Sequence, residues 1–133
     1  MVSPLVEVER EALRLKNAGK LMDAIRNFER IVSENPEWEH GSPFFNMAQC
    51  FEDLGEVASA DKNYLESLKR SPRNPYFLGS YASFLLLTEK HESALARFME
   101  LKAVYDSMGD KIGSDDATRT IAGIRETLCR SSV

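Results

Sequence analysis

Hydrophobic residues recur along the chain at the three- and four-residue spacing of amphipathic α-helices. Phe44, Met47, Ala48 and Phe51, for example, stand at i, i+3, i+4 and i+7 and so share one helix face. Glycine follows the first helix of a pair and proline follows the second, where neither residue favours continuation of a helix. These breaks fall at Gly19, Pro36, Gly55 and Pro72. The pattern predicts pairs of helices joined by short turns.

The helix pairs repeat. An alanine is followed twelve residues later by a second alanine and, four residues beyond, by an aromatic residue; the three triplets are Ala12, Ala24 and Phe28, then Ala48, Ala60 and Tyr64, then Ala82, Ala94 and Phe98. Small residues allow two helices to cross closely, and aromatic residues fill the wider space beside the crossing. We expect repeats at about residues 5–38, 41–74 and 75–108.

The third copy departs from the other two at two positions. Glu89 replaces the glycine of the turn, which leaves the geometry of that turn open, and Asp106 replaces the closing proline. The following residues 107–113 are rich in turn formers and predict a connector. Ser114 is then a candidate N-cap for a last helix at about residues 114–130, which would cap the stack. Its apolar stripe consists of Ala117, Ile121, Ile124 and Leu128.

These repeats resemble the tetratricopeptide repeat (TPR), whose signature is W-x2-L-G-x2-Y, then A-x3-F, then P. The second copy matches it best, with Phe44, Met47, Ala48, Phe51, Ala60, Tyr64 and Pro72. The resemblance implies an all-α fold, an α-solenoid of antiparallel helix pairs in a right-handed superhelix. We expect about seven helices in a single TPR-like domain over residues 1–133.

Composition and charge exclude several classes of protein. Twenty-one acidic and seventeen basic residues give a net charge of −4, which is unfavourable for binding a nucleic-acid backbone. The longest apolar run, residues 84–87, is far too short to span a membrane, and residues 1–9 lack the features of a secretory signal. We therefore expect a cytoplasmic protein in which Cys50 and Cys129 are reduced thiols.

The chain offers little for catalysis. His40 and His91 are not spaced with a nucleophile or a carboxylate partner, and we interpret both as surface residues. Residues 109–114 lack the G-x4-G-K-[ST] spacing of a phosphate-binding loop, and no group of residues has metal-ligand spacing. The sequence predicts neither an enzyme nor a cofactor or metal site.

A TPR-like superhelix would instead present a concave groove lined by the first helix of each pair. We predict that Phe45 and Tyr76 anchor apolar groups of a partner there, unless they simply pack between repeats. The acidic groups of Glu9, Glu52 and Asp53 would favour a partner with apolar and basic residues. The predicted groove residues are Arg10, Asn17, Phe45, Asn46, Gln49, Tyr76, Ser80 and Ser83.

The expected function is non-catalytic binding of a peptide or protein in this groove, as in a scaffold, adaptor or co-chaperone. Some TPR domains hold the carboxylate of Hsp70 and Hsp90 tails with lysine, asparagine and arginine; here those positions are Glu9, Leu13, Asn46, Tyr76 and Ser80. Only Asn46 fits, which argues against that clamp.

Two alternatives remain. The end helices, residues 5–16 or 117–128, could pair with a second copy in a structural or self-assembling protein, of which bacterial secretion chaperones with three repeats are one version. An enzyme or small-molecule binder would need convergent ionisable groups, which the groove positions do not provide.

Overall fold

The computed structural model describes residues 3–131, so the first two and last two residues of the predicted domain lie outside the described part. This part contains seven α-helices, a short 3₁₀ segment at Trp38–Gly41 and no β-strand. The prediction of an all-α fold with about seven helices is confirmed. The helices are α1 Pro4–Asn17, α2 Leu21–Glu34, α3 Ser42–Asp53, α4 Val57–Arg70, α5 Pro75–Leu87, α6 His91–Met108 and α7 Lys111–Ser131.

The repeated alanines lie where helices meet. All six have no exposed surface, and the aromatic residue that follows each second alanine is buried as well. A side chain larger than methyl would hold the backbones apart at these points. The alanine positions are Ala12, Ala24, Ala48, Ala60, Ala82 and Ala94, and the aromatic positions are Phe28, Tyr64 and Phe98.

The chain forms two compact units, Met1–Pro72 and Arg73–Val133. In the first unit, each of the four helices packs against the next one along the chain, around a core that includes Ile25, Phe28 and Ile31. In the second unit, α6 packs against both α5 and α7. A single domain over the whole chain stays a prediction.

The turn inside each helix pair uses one left-handed residue. Gly19 and Gly55 have φ values of 78° and 76°, and Glu89 takes the same conformation with φ 62°. Glycine adopts this conformation without cost, whereas a side chain brings Cβ close to the backbone. The third turn therefore has the backbone of the first two without the residue best suited to it.

Proline decides where the second helix of a pair ends. Helices α2 and α4 stop at Glu34 and Arg70, two residues before Pro36 and Pro72. In the third pair Asp106 stands in place of the proline, and α6 continues to Met108. This helix has 18 residues, whereas α2 and α4 have 14 each.

The predicted connector and the predicted cap of the last helix were wrong. Only Gly109 and Asp110 separate α6 from α7, so α7 begins three residues before Ser114. The Asp110 carboxylate accepts a hydrogen bond from the Gly113 N–H at 2.9 Å, as an N-cap side chain does. Ser114 is buried inside the helix, and its hydroxyl donates to Asp106.

The connection between the first two pairs is longer than the next one because it contains the 3₁₀ segment. Glu39, His40 and Gly41 are all left-handed there, with φ values of 47°, 54° and 97°. The Ser71 hydroxyl, beyond α4, donates to the His40 carbonyl at 2.7 Å. The segment thereby joins the start of α3 to the end of α4.

Candidate interaction surface

A polar cluster joins α1 and α3 in the first unit. The Lys16 ammonium donates to Asn46 Oδ1 at 2.8 Å and to Gln49 Oε1 at 2.5 Å. Asn46 also donates through Nδ2 to the Ser42 carbonyl at 3.0 Å. Two of the predicted groove residues are thus brought together by Lys16, which the sequence also places at the groove but without this contact. No local motif marks this lysine, because its partners are 30 and 33 residues away.

Lys16 is half-buried in this cluster. Burial lowers the pKa of its ammonium, and the nearby Cys50 and Asp53 oppose that shift. The Cys50 thiol is fully buried, and burial raises its pKa. The ammonium therefore depends on the amide oxygens to replace part of its lost hydration, and the cluster is ordered before any partner arrives.

Two of the predicted groove acids form hydrogen bonds within the chain. Trp38 Nε1 donates to the Glu9 carboxylate at 3.0 Å, and the Tyr64 hydroxyl donates to Glu52 Oε1 at 2.6 Å. Burial of Tyr64, with a further contribution from Glu52, raises the pKa of the Tyr64 phenol. These carboxylates hold the first unit together, so a basic partner would have to compete with the internal donors.

Phe45 is half-buried and lies edge-on to Tyr64, with 6.1 Å between the ring centroids. It therefore packs within its own helix pair, between α3 and α4. Arg10 and Asn17 are exposed, and Arg10 pairs with Glu7 at 2.7 Å. Of the predicted anchors, Phe45 contributes to packing as well as to the surface.

The second unit presents the other anchor on α5. Tyr76 is 79% exposed and Leu87 is 75% exposed, and they belong to one helix stripe with Ser80 and Ser83 at spacings of 4, 3 and 4. Helix α5 contains no charged residue. Asn74 fixes its start by accepting from the N–H groups of Tyr76 and Phe77. Tyr76, Ser80 and Ser83 thus form an uncharged stripe with a tyrosine at one end.

Sequence reasoning did not find a cleft in the first unit, between α2 and α4. It has a volume of about 570 Å³, and its floor includes Phe44, Met47 and Phe51 of α3. The Arg70 guanidinium lies 4.4 Å from the Phe44 ring centroid and pairs with Glu66 at 2.7 Å. The cleft depends on the distance between two helices, which the repeat pattern does not encode.

Neither histidine takes part in these surfaces. His91, predicted at the surface, is the half-buried first residue of α6, and its Nδ1 is buried. Within residues 3–131, no group of three His, Cys, Asp or Glu side chains is placed to hold a metal ion. No helix in this part of the chain is long and apolar enough to cross a membrane.

Neither a protein-family model nor a curated protein matches the sequence. Solved structures do match over nearly the whole chain. PcrH of Pseudomonas aeruginosa, solved with the chaperone-binding region of PopD, is 17% identical with a TM-score of 0.80, and the match covers 93% of this chain and 92% of PcrH. The TPR2B domain of yeast Sti1, solved in complex with pHsp70, is 11% identical with a TM-score of 0.78, covering 92% and 97%.

The chain has a TPR-like fold. The type III secretion translocator chaperone SycD of Yersinia enterocolitica has the same architecture, with 17% identity, a TM-score of 0.80 and coverage of 96% of this chain and 89% of SycD. These likenesses confirm the predicted TPR-like solenoid class. The stripe on α5 and the polar cluster on α1 and α3 are therefore on the first helices of TPR-like pairs.

Proposed function

We propose that this protein is a non-catalytic interaction module that binds a peptide or protein segment on the first helices of its TPR-like pairs. The observation that carries the proposal is the uncharged, exposed stripe of α5. Tyr76 at one end of the stripe is mostly exposed, and tyrosine is enriched among the residues that dominate binding energy; Leu87 at the other end is exposed as well. Ser80 and Ser83 between them leave room for a partner backbone and offer hydroxyl groups to it.

The first unit offers a polar surface of its own. Lys16 holds the oxygens of Asn46 and Gln49, so these side chains are ordered in advance and little entropy is lost when a partner binds. Asn17 and Arg10 are exposed on α1, and Arg10 would have to exchange its pair with Glu7 for a contact with the partner. Phe45 would contribute only its exposed part, because it also packs on Tyr64.

We further propose that the carboxylate tails of Hsp70 and Hsp90 are not its ligands, although the Sti1 domain shares the fold. Glu9 stands where such a clamp requires a cation, and its carboxylate is held by Trp38. A negative charge at this position would repel a terminal carboxylate. Leu13, Tyr76 and Ser80 supply no cation at the other positions.

A second candidate is a chaperone for secretion translocators. It is favoured by the match with PcrH and SycD, which covers about nine-tenths or more of both chains in each comparison. The chaperone-binding region of PopD is a direct probe. Anisotropy of the labelled segment should rise with wild-type protein and not with the double variant Tyr76→Ala/Leu87→Ala, whereas no rise with wild-type protein would remove this candidate.

Other features fit a binding module in the cytoplasm. Cys50 lies on α3 and Cys129 on α7, and no disulfide joins them, in keeping with a reducing compartment. The matched structures are binding domains, in keeping with a role without catalysis. The self-assembling alternative is tested by light scattering over a concentration series, because a protein that remains a monomer excludes it.

The test of the main proposal compares three immobilised proteins. These are the wild type, the double variant Tyr76→Ala/Leu87→Ala, and the control Ile112→Ala, which removes an apolar side chain that is 83% exposed outside the stripe. Proteins recovered from the native cell are quantified by mass spectrometry. We expect the specific partners to fall about tenfold or more with the double variant and to stay with the control. Equal recovery by all three folded proteins would contradict the proposal.

A further inference from the structure

A groove lies between α6 and α7 in the second unit, with a volume of about 360 Å³. Most of its surface is apolar. Met99 is 47% exposed in it, although methionine is a residue usually buried. The groove is lined by Met99, Lys102, Thr118, Ile121, Ala122 and Arg125.

The repeat pattern indicates that a helix would fit in this groove. Ala117 continues the series of first-helix alanines, because Ala12, Ala48, Ala82 and Ala117 are separated by 36, 34 and 35 residues. Like the others, Ala117 is buried. Helix α7 is therefore in the register of the first helix of a fourth pair.

The second helix pair shows how a second helix packs against the first helix of its pair. Its first helix, α3, packs against α2 before it and against α4 after it. Glu52 follows Ala48 by four residues and accepts the hydroxyl hydrogen bond from Tyr64 of α4. Ile121 follows Ala117 by the same four residues and lines the groove. The groove thus lies on the side of α7 where a second helix would pack.

The charge in the groove is positive. On α7, the basic residues outside the groove each pair with a carboxylate of the same helix: Lys111 with Asp115, Arg119 with Asp116 and Arg130 with Glu126. Arg125 has no carboxylate partner within residues 3–131; its Nη2 lies 3.9 Å from the sulfur of Met99. Lys102, on α6, pairs with Asp106 at 2.8 Å.

We propose that this groove binds an amphipathic α-helix of another protein, with acidic residues beside its apolar stripe. The helix takes the place at α7 that α4 takes at α3. Its apolar residues cover Met99 and Ala122, and a carboxylate pairs with Arg125. Pairing of this groove with that of a second copy is disfavoured, because it would bring together the Arg125 side chains of both copies, which have no carboxylate partner within residues 3–131.

The probe is a synthetic helical peptide of about 16 residues with leucines at i, i+4, i+7 and i+11 and glutamates on both sides of this stripe. A twin peptide has lysines in place of the glutamates. Binding is followed by fluorescence anisotropy, and its location by the NMR shift of the Met99 methyl group. We expect the glutamate peptide to bind about five to ten times more tightly than its twin and to shift the Met99 signal.

Two charge reversals on α7 make the test specific. Arg125→Glu should reverse the preference between the two peptides, whereas Arg119→Glu, on the same exposed helix but outside the groove, should leave it unchanged. Circular dichroism verifies that both variants fold. Failure of the glutamate peptide to bind, or an equal effect of the two reversals, would overturn the proposal.

Two further variants test whether a second copy of the chain occupies the groove and whether the peptide binds at the α5 stripe instead. If the wild type is a dimer and Ala122→Arg makes it a monomer, the groove belongs to a second copy and the proposal is wrong. Tyr76→Ala/Leu87→Ala should not change the affinity for the glutamate peptide. A loss of that affinity would place the peptide on the α5 stripe and overturn the groove assignment.

Discussion

Glu89 is held in a left-handed conformation at a position where the other two turns have glycine. We expect Glu89→Gly to raise the free energy of unfolding by up to about 1 kcal/mol, because glycine removes the Cβ contact but adds entropy to the unfolded chain. Chemical denaturation monitored by circular dichroism measures the change.

Glu100→Gly is the matched control for this prediction. Glu100 lies in the middle of α6 and is exposed, so glycine there should lower the free energy of unfolding by about 1 kcal/mol. Destabilisation by both substitutions would show that the left-handed φ of Glu89 costs less than the entropy that glycine adds to the unfolded chain.

Tyr64 contributes to stability through its hydroxyl as well as its ring. The hydroxyl donates to the Glu52 carboxylate at 2.6 Å, and the ring is almost fully buried. Removing the hydroxyl in Tyr64→Phe leaves the carboxylate without this donor and should cost about 1.5 kcal/mol at pH 7. Tyr76→Phe, at an exposed position, should be close to neutral.

The same contact predicts how stability depends on pH. The pKa of Tyr64 is raised in the folded state, mainly by burial, whereas an unfolded tyrosine releases its proton near pH 10. Above about pH 10 the unfolded state therefore binds fewer protons than the folded state, and the free energy of unfolding falls there as pH rises. The fall should be less steep in Tyr64→Phe than in wild type. Parallel curves from denaturation between pH 8 and 11 would contradict this.

Helix α7 contains two glycines, one packed against another side chain and one facing open space. A Cβ on Gly113 would lie 2.7 to 2.9 Å from ring atoms of Tyr105, whereas one on Gly123 would meet nothing within 4 Å. The first glycine allows α7 to approach α6 closely. The second has no such reason and only lowers helix propensity.

Alanine should therefore have opposite effects at these two sites. Gly123→Ala is expected to raise the free energy of unfolding by about 1 kcal/mol, and Gly113→Ala to lower it by about 1 to 3 kcal/mol. The pair is its own control, since both changes add one methyl group to the same helix. A gain in both variants, measured by thermal denaturation, would show that moving the Tyr105 ring costs less than the helix propensity that alanine adds.

At the scale of the whole molecule, the two cysteines lie in different units and differ in exposure. Cys50 is fully buried in the first unit, and Cys129 is exposed on α7 in the second. Burial also raises the pKa of the Cys50 thiol, which lowers the amount of reactive thiolate. Only Cys129 should react promptly with a thiol reagent in the native protein.

We expect one thiol per chain to react quickly with Ellman's reagent and the second to react only as the first unit opens. The slow phase should follow the unfolding transition seen by Trp38 fluorescence, since Trp38 packs against the same core. In Cys129→Ser the fast phase should disappear. Two fast thiols in the native wild type would contradict the burial of Cys50.

The sequence by itself determined the helix pairs and their order. Alanine, aromatic and turn positions at fixed spacing specify which face of each helix is buried, and proline specifies where α2 and α4 end. These signals act within one or two helices, so they can be read without distant contacts. The longer α6 follows from the same rule, because Asp106 does not stop a helix.

Only the tertiary structure decided which contacts are made by residues at the borders of the buried helix faces. Phe45 packs on Tyr64, Lys16 holds Asn46 and Gln49, and Ser114 is buried inside α7 instead of capping it. Each depends on where two helices cross, and a small rotation there moves a border side chain from solvent into a contact. The groove beside Arg125 arises in the same way, from the pairing of α6 with α7.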